Sequence, residues 1–320
     1  MVDLIDRRFS VAPMMDLTDK HCRFFHRLIS KEALLFSEMI TTKAIIYGDR
    51  DKLLAFNYEE NPLVLQIGGS ESDEFSKCAK IVENYGYDEI NINVGCPSDR
   101  VQSGSFGACL MKTPDTVAKC VESLKQNTQL PVSIKCRIGV DDIESYKNLH
   151  NFVRINRDAG CKIFYIHARK AWLKGLSPKE NRDIPPLNYE WVFQIKKDFP
   201  ELVVSLNGGL QNLEDSYDIF KKLDGVMLGR KAYHDPFILS KVDEIFYEKK
   251  PNTTTRESVL EGFVEYMKKE ISKGINLRSM TRHILGLYHS QPNSKKFKQL
   301  LSGKNIYIKD LEKWLIESRS

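Results

Sequence analysis

Short apolar runs recur eight times in the first 230 residues: Phe9–Met15, Leu34–Ile40, Leu63–Gly69, Glu89–Asn93, Val132–Gly139, Ile163–Arg169, Val203–Gly209 and Gly225–Arg230. Each reads as a buried strand. Between them apolar positions return at helical spacing, which predicts helices over Asp73–Tyr85, Pro114–Gln126, Ile143–Ala159, Tyr189–Phe199 and Leu213–Lys222. Ser72, Thr113 and Asp142 are the candidate N-caps. Strands alternating with helices predict a parallel sheet. Eight repeats in this length match a closed (β/α)8 (TIM) barrel, an α/β fold of about 250 residues. An open doubly wound sheet is the other arrangement, but its glycine fingerprint after the first strand is missing. From Pro236 onward no further strand is expected. Helical stretches follow at roughly Phe237–Tyr247, Arg256–Ser272, Arg278–Ser290, Asn293–Leu301 and Ile308–Glu317, with connections at Lys249–Thr255 and Gln291-Pro292. This predicts a barrel over 1–238 and a small all-α helical bundle over 239–320.

The residues that end each run carry the chemistry. They are Pro13, Met14 and Met15; Glu38; Gln66 with Gly68 and Gly69; Asn93 and Cys96; Lys135 and Arg137; His167 and Arg169; Asn207, Gly208 and Gly209; and Gly229 with Arg230. In a barrel such positions converge on the carboxyl mouth, where active sites lie. Asn207-Gly-Gly209 and Gly229-Arg230 follow the seventh and eighth strands, the frequent phosphate position, and glycines let backbone N–H groups approach an anion. Lys135 and His167, from the fifth and sixth strands, suit a ring that carries negative charge when reduced. Flavin mononucleotide satisfies both features. Taken singly, the glycine pairs read as ordinary turns and Lys135 as a rim salt bridge. Around Asn91-Ile-Asn-Val-Gly-Cys96-Pro-Ser98 a strand emerges into a long glycine-rich stretch, Asp99–Cys109, and long loops are often functional. A lone Cys96 could equally pack as a small hydrophobe.

Composition narrows the class. The chain has 320 residues, 42% hydrophobic and 28% charged, as ordinary globular proteins do. No apolar run nears the ~20 residues of a membrane span. Met1–Arg8 lacks the order of a signal peptide. Seven cysteines without a CxxC pair fit neither a disulfide framework nor a zinc ribbon, so a cytoplasmic, metal-free protein is expected. Cys22, Cys78, Cys109, Cys120, Cys136 and Cys161 read as packing residues. The net charge of +5 is uneven: Leu239–Ser320 holds 16 Lys and Arg against 10 Asp and Glu, the remainder 32 against 33. A basic tail suggests a polyanion partner, with a merely solvated lysine surface as the alternative. Lys295, Lys296, Lys298 and Lys304, uninterrupted by any acid, form the best phosphate-backbone patch.

Val11-Ala-Pro-Met-Met-Asp16, Asn91–Ser98, Ile166-His-Ala-Arg169, Asn207-Gly-Gly209 and Gly225-Val-Met-Leu-Gly-Arg230 together resemble the tRNA-dihydrouridine synthases. The stretch from His167 to Pro186, and Thr18-Asp-Lys-His-Cys-Arg23, resemble that family's A-type branch. The resemblance covers nearly the whole chain. It implies an FMN enzyme that reduces uridine in the tRNA D-loop, at positions 20 and 20a, using NADPH. On motif position it implies that Pro13, Met14, Met15, Gln66, Lys135, His167, Asn207, Gly208, Gly209, Gly229 and Arg230 hold FMN. Cys96 would be the proton donor; a free thiol, with a pKa of about 8.5, is mostly protonated at neutral pH. Asn93, Lys179, Arg182, Lys295 and Lys298 would contact tRNA. Similar proteins tend to carry Arg at the last two positions; Lys keeps the charge without the bidentate fork. Two rival readings are an FMN-dependent reductase of free pyrimidines, similar to dihydroorotate dehydrogenases, and a non-catalytic tRNA-binding protein. The first leaves the basic tail without a purpose, and the second predicts a colourless protein. A monomer is the default expectation.

Overall fold

The eight runs become eight parallel strands: β1 Phe9–Val11, β2 Leu35–Thr41, β3 Leu63–Gly68, β4 Glu89–Val94, β5 Val132–Arg137, β6 Ile163–His167, β7 Val203–Asn207 and β8 Gly225–Leu228. A computed structural model provides this architecture and describes residues 5–251, 253–303 and 306–319. The sheet order is β1-β8-β7-β6-β5-β4-β3-β2. The ring closes where Ser10 bridges to Leu34, with Val11 N–H donating to Leu34 O at 2.9 Å and Leu34 N–H to Phe9 O at 3.0 Å. The fold is therefore the expected (β/α)8 barrel.

Side chains alternate between two cores, because successive residues of a strand face opposite sides. Ala12, Leu34, Phe36, Val64, Ile163, Tyr165 and Met227 fill a small cluster apart from the main core. Phe164, Ile166, Val204, Leu206, Val226 and Leu228 pack into that larger core, which also takes in apolar faces of the helices. Toward the carboxyl ends the β4 and β5 series Asn91, Asn93, Ser133, Lys135 and Arg137 turns polar.

The helices agree with the sequence pattern in the barrel and depart from it in identifiable places. Ser72–Val82, Pro114–Asn127, Tyr146–Asp158, Tyr189–Asp198 and Leu213–Phe220 form as expected. Of the expected caps, Asp142 is overturned. It lies in the turn closed by Val140 and Ile143, so that helix starts later and is capped by Ser145, whose side chain accepts from Asn148 N–H. Ser72 is the first residue of its helix rather than the cap, and Thr113 holds the cap position without a side-chain bond. The stretch Asp99–Cys109 is not a plain loop: it holds the helix Asp99–Ser103 and the start of a 3-10 turn, Gly107–Lys112. The helices Lys20–Ile29, Thr42–Tyr47 and Arg50–Leu53 have no counterpart among the expected helices.

Beyond β8 every described element is helical. Arg256–Ser272, Ser294–Ser302 and Ile308–Arg319 agree with expectation. The other two expected helices are each split, into a 3-10 turn Pro236–Lys241 with helix Val242–Tyr247, and helix Leu277–Thr281 with a 3-10 turn Arg282–Ile284. These helices meet the barrel along Lys20–Ile29. Tyr266 stacks on Phe24 at 4.0 Å, Lys20 pairs with Glu270 at 2.7 Å, and Asp19 pairs with Arg282 at 2.6 Å.

Candidate active site

The carboxyl ends of the strands enclose a cavity of about 1270 Å3. Ligand pockets usually run to roughly 300–1,000 Å3, so there is room for a nucleotide-sized cofactor and a second ring. Every residue expected to hold FMN lines it: Pro13, Met14 and Met15 from the β1 end, Gln66, Lys135, His167, Asn207 to Gly209, and Gly229 with Arg230. So do Cys96, Asn93, Lys179 and Arg182. Lys295 and Lys298 do not; they are exposed on the helix Ser294–Ser302. Lys304 lies outside the described residues.

Each side chain is held by its strand and by a neighbour. Lys135 Nζ donates to Asn207 Oδ1 at 3.1 Å, while Asn207 Nδ2 donates to the carbonyl of Met227 at 2.8 Å. Burial, with Arg137 close by, lowers the Lys135 amine to about 8. His167 is driven well below its ordinary value by burial and by Arg137 and Lys135, so it is neutral. Cys96 is half-buried, its Sγ 3.5 Å from Ser98 Oγ, and its N–H donates to Asn93 Oδ1 at 3.0 Å.

The glycine turn after β7 is built for close approach. Gly208 and Gly209 sit at φ +106° and +76°, and a Cβ at Gly208 would come within 2.5 Å of the His167 ring. Tyr189 OH donates to the Gly208 carbonyl at 2.7 Å. These features, and the cationic set Lys135, Arg137, Arg182 and Arg230 lining the cavity, fit an anionic cofactor. The buried Nε of Arg182 has no hydrogen-bond partner, as a guanidinium awaiting an anion would have. Arg230 is engaged by Asp183, at 2.6 and 3.2 Å.

A comparison with family models matches Dihydrouridine synthase (Dus) over residues 10–314. The chain belongs to the dihydrouridine synthase family. Among its relatives, the tRNA-dihydrouridine(20/20a) synthase of Vibrio parahaemolyticus serotype O3:K6 (strain RIMD 2210633) is 50% identical over 296 residues, covering 92% of this chain and 90% of that one. The protein of that name in Yersinia pestis is 50% identical over 299 residues, covering 92% and 86%. That of Synechocystis sp. (strain ATCC 27184 / PCC 6803 / Kazusa) is 48% identical over 297, covering 93% and 89%. Among solved structures, Morphinone reductase superposes with a TM-score of 0.51 at 10% identity, covering 79% of this chain and 88% of that one. At that identity the likeness is one of fold.

This dihydrouridine synthase has site-building residues whose structural role the sequence pattern did not show. In the sequence Arg137 is only a strand-end cation. In the structure it is almost wholly buried and ties three segments together, donating to the carbonyls of Gly95 (3.0 Å), Lys170 (2.9 Å) and Asn181 (2.9 Å). Gln102 Nε2 donates to Pro97 O at 2.8 Å and Leu173 O at 2.7 Å, joining the Cys96 turn to the segment that leads to Lys179 and Arg182. Its only sequence signal was its place two residues before Gly104. Among the described residues no group of three or more His, Cys, Asp or Glu side chains could hold a metal ion, and no helix is long and apolar enough to cross a membrane.

Proposed function

We propose that this enzyme is an FMN-dependent, cytoplasmic reductase of the uracil C5=C6 bond of D-loop uridines in tRNA, at positions 20 and 20a, with NADPH as electron donor. The observation that carries the reading is the meeting of Cys96 with Lys135, His167 and the Gly208-Gly209 turn in one cavity of a dihydrouridine synthase fold. The residues fit FMN: Gly208, Gly209, Gly229 and Arg230 would hold its phosphate, and Gln66, Lys135, His167 and the Pro13–Met15 segment its ring. When bound, the flavin supplies the hydride for uracil C6. The protein supplies the rest. Negative charge then spreads over C5 and O4 of the uracil, where donors stabilise it, and the Cys96 thiol gives its proton to C5.

Residues 1–238 are the catalytic barrel in this reading, and 239–320 the helical region that grips tRNA. The target uridine leaves the folded tRNA to enter the cavity, as bases do for other base-modifying enzymes. Asn93, Lys179 and Arg182 would meet it there, and Lys295 and Lys298 would take backbone phosphates farther out. The test is mass spectrometry of unmodified tRNA incubated with the purified monomer, FMN and NADPH. A gain of two hydrogens on one or two D-loop uridines is expected. No gain with flavin bound would shift the assignment to a free pyrimidine. No gain without flavin would leave only RNA binding.

A further inference from the structure

A single file of buried polar side chains crosses the barrel interior, from the amino-terminal ends of the strands to the Cys96 turn. At its base Glu89, fully buried, accepts from Arg7 Nε at 2.8 Å and pairs with Arg7 Nη2 at 2.7 Å through one oxygen. Its other oxygen accepts from Ser133 Oγ at 2.5 Å. Ser133 Oγ accepts from Asn91 Nδ2 at 2.8 Å, Asn91 Oδ1 from Gln66 Nε2 at 2.8 Å, and Gln66 Oε1 from Asn93 Nδ2 at 2.8 Å. At the top Asn93 Oδ1 accepts from the N–H groups of Gly95 at 3.1 Å and Cys96 at 3.0 Å.

Both ends of this file have fixed polarity. A carboxylate held by arginine accepts only, and a backbone N–H donates only. The hydroxyl of Ser133 has one proton, given to Glu89, so it must accept from Asn91. Each amide beyond it is then forced into one orientation. Asn93 oxygen has both lone pairs occupied, so what Asn93 retains for the cavity is one N–H. Gln66 and Asn93 line the cavity, whereas Glu89, Asn91 and Ser133 do not.

We propose that Glu89, Ser133 and Asn91 are positioning residues that, together with the backbone N–H groups of the Cys96 turn, hold the hydrogen-bond polarity of Asn93, making it an obligate donor to a carbonyl oxygen of the substrate pyrimidine. A donor at that place gains strength as charge develops on the carbonyl in the transition state, so it acts on the rate more than on binding. An amide reversed there would present its oxygen to a carbonyl and repel it. The inference rests on the uridine-reductase reading above, and it extends that reading to residues that never touch the substrate. Removing the Ser133 hydroxyl leaves Asn91 Nδ2 without its acceptor, a costly state for a buried donor. Relief requires Asn91 and Gln66 to reverse, and Asn93 then divides its oxygen between Gln66 and the Cys96 turn.

The experiment compares Ser133→Thr with Ser133→Val, which share a shape and differ in the hydroxyl, in the FMN-loaded full chain. Flavin content, tRNA affinity and the single-turnover rate of uridine reduction are measured for each. The threonine variant is expected to stay within about twofold of the native rate. The valine variant should fall roughly tenfold or more below the threonine one, with tRNA affinity within about twofold. Equal rates in the two variants would overturn the proposal. Neutron diffraction from the deuterated native protein tests the polarity itself without any variant, and so can overturn the proposal even if both variants unfold. Deuterium on the Asn93 atom facing Gln66 Oε1 is expected, and the reverse orientation sinks the idea. If the native protein reduces no tRNA uridine, the functional reading fails, whichever polarity the neutron map shows.

Discussion

Lys135 and His167 reach the same cavity from adjacent strands, and burial acts on them in the same direction. Each loses affinity for its proton, burial being the larger cause and neighbouring cations the second. For Lys135 the sign is definite. Its folded value of about 8 lies below the ordinary 10.5, so the unfolded chain binds more protons between these values and stability rises with pH across that window. Binding the reduced, anionic ring opposes the shift. Affinity for reduced FMN is therefore expected to weaken as pH rises through 8, and Lys135→Met to be both weaker and flat across that range, as followed by the pH dependence of the bound flavin's reduction potential. Cys96→Ala should keep the yellow colour and the tRNA affinity while turnover falls roughly 10²–10⁴-fold, the usual contribution of a positioned acid. Near-native turnover in that variant would remove the thiol from the reaction. The residues that line the cavity were legible in the sequence because polar and glycine residues follow each apolar run. Those that hold them in place were not, because Glu89, Asn91 and Ser133 look like interruptions of a strand until the topology faces β3, β4 and β5 inward together.

At the scale of elements, what was readable depended on which residues a helix buries. The β-strands announced themselves because they bury both faces. The helix Lys20–Ile29 did not, because its buried positions include His21, Arg23, His26 and Arg27. Their partners are polar: Arg23 with Glu60 at 2.6 Å, His21 Nδ1 with Tyr266 OH at 2.7 Å, and Arg27 with the carbonyls of Ala33 and Glu60. Its apolar positions Cys22, Phe25 and Ile29 do fall at helical spacing, but the buried charges between them mask that period in the sequence. Its cap, Asp19, accepts from the N–H groups of His21 and Cys22 and also pairs with Arg282 and His283 of the helical region. Burial alone would raise that carboxyl, but His283, the Cys22 N–H and Arg282 outweigh it and hold it well below the usual carboxylate range. The stability it contributes is thus complete above its unfolded value of 3.8 and is lost as pH falls through the lower folded value. Asp19→Ala should cost roughly 2–4 kcal/mol in urea unfolding at pH 7, from a lost cap and from Arg282 and the buried His283 losing their shared acceptor. A cost within a few tenths of a kcal/mol would show that this joint adds nothing to stability.

Over the whole molecule, charge is segregated: the excess of six positive charges in Leu239–Ser320 faces an otherwise near-neutral chain. Such an arrangement binds a polyanion by releasing its counterions, and tRNA affinity should fall linearly with salt on logarithmic axes. Replacing Lys295 and Lys298 together by Ala should lower the affinity and reduce that slope by about 1–2, near one unit for each phosphate no longer neutralised. An unchanged slope would place both lysines off the tRNA path. The fold at this scale was readable from periodicity, while the course of the nucleic acid was not, since a lysine on a solvated helix looks the same with or without a phosphate opposite it.

The barrel also has a seam. Seven strand pairs share ladders, but β1 and β2 meet through the Ser10–Leu34 bridge and the two backbone bonds that accompany it. A ring this uneven opens at one place first, since local unfolding begins where the fewest backbone bonds must break. The amide hydrogens of Val11 and Leu34 would then exchange with solvent well ahead of those shared by β4 and β5. Pro13, Met14 and Met15 stand directly beyond β1, so the breathing of the seam and the loosening of that wall of the cavity would be one motion.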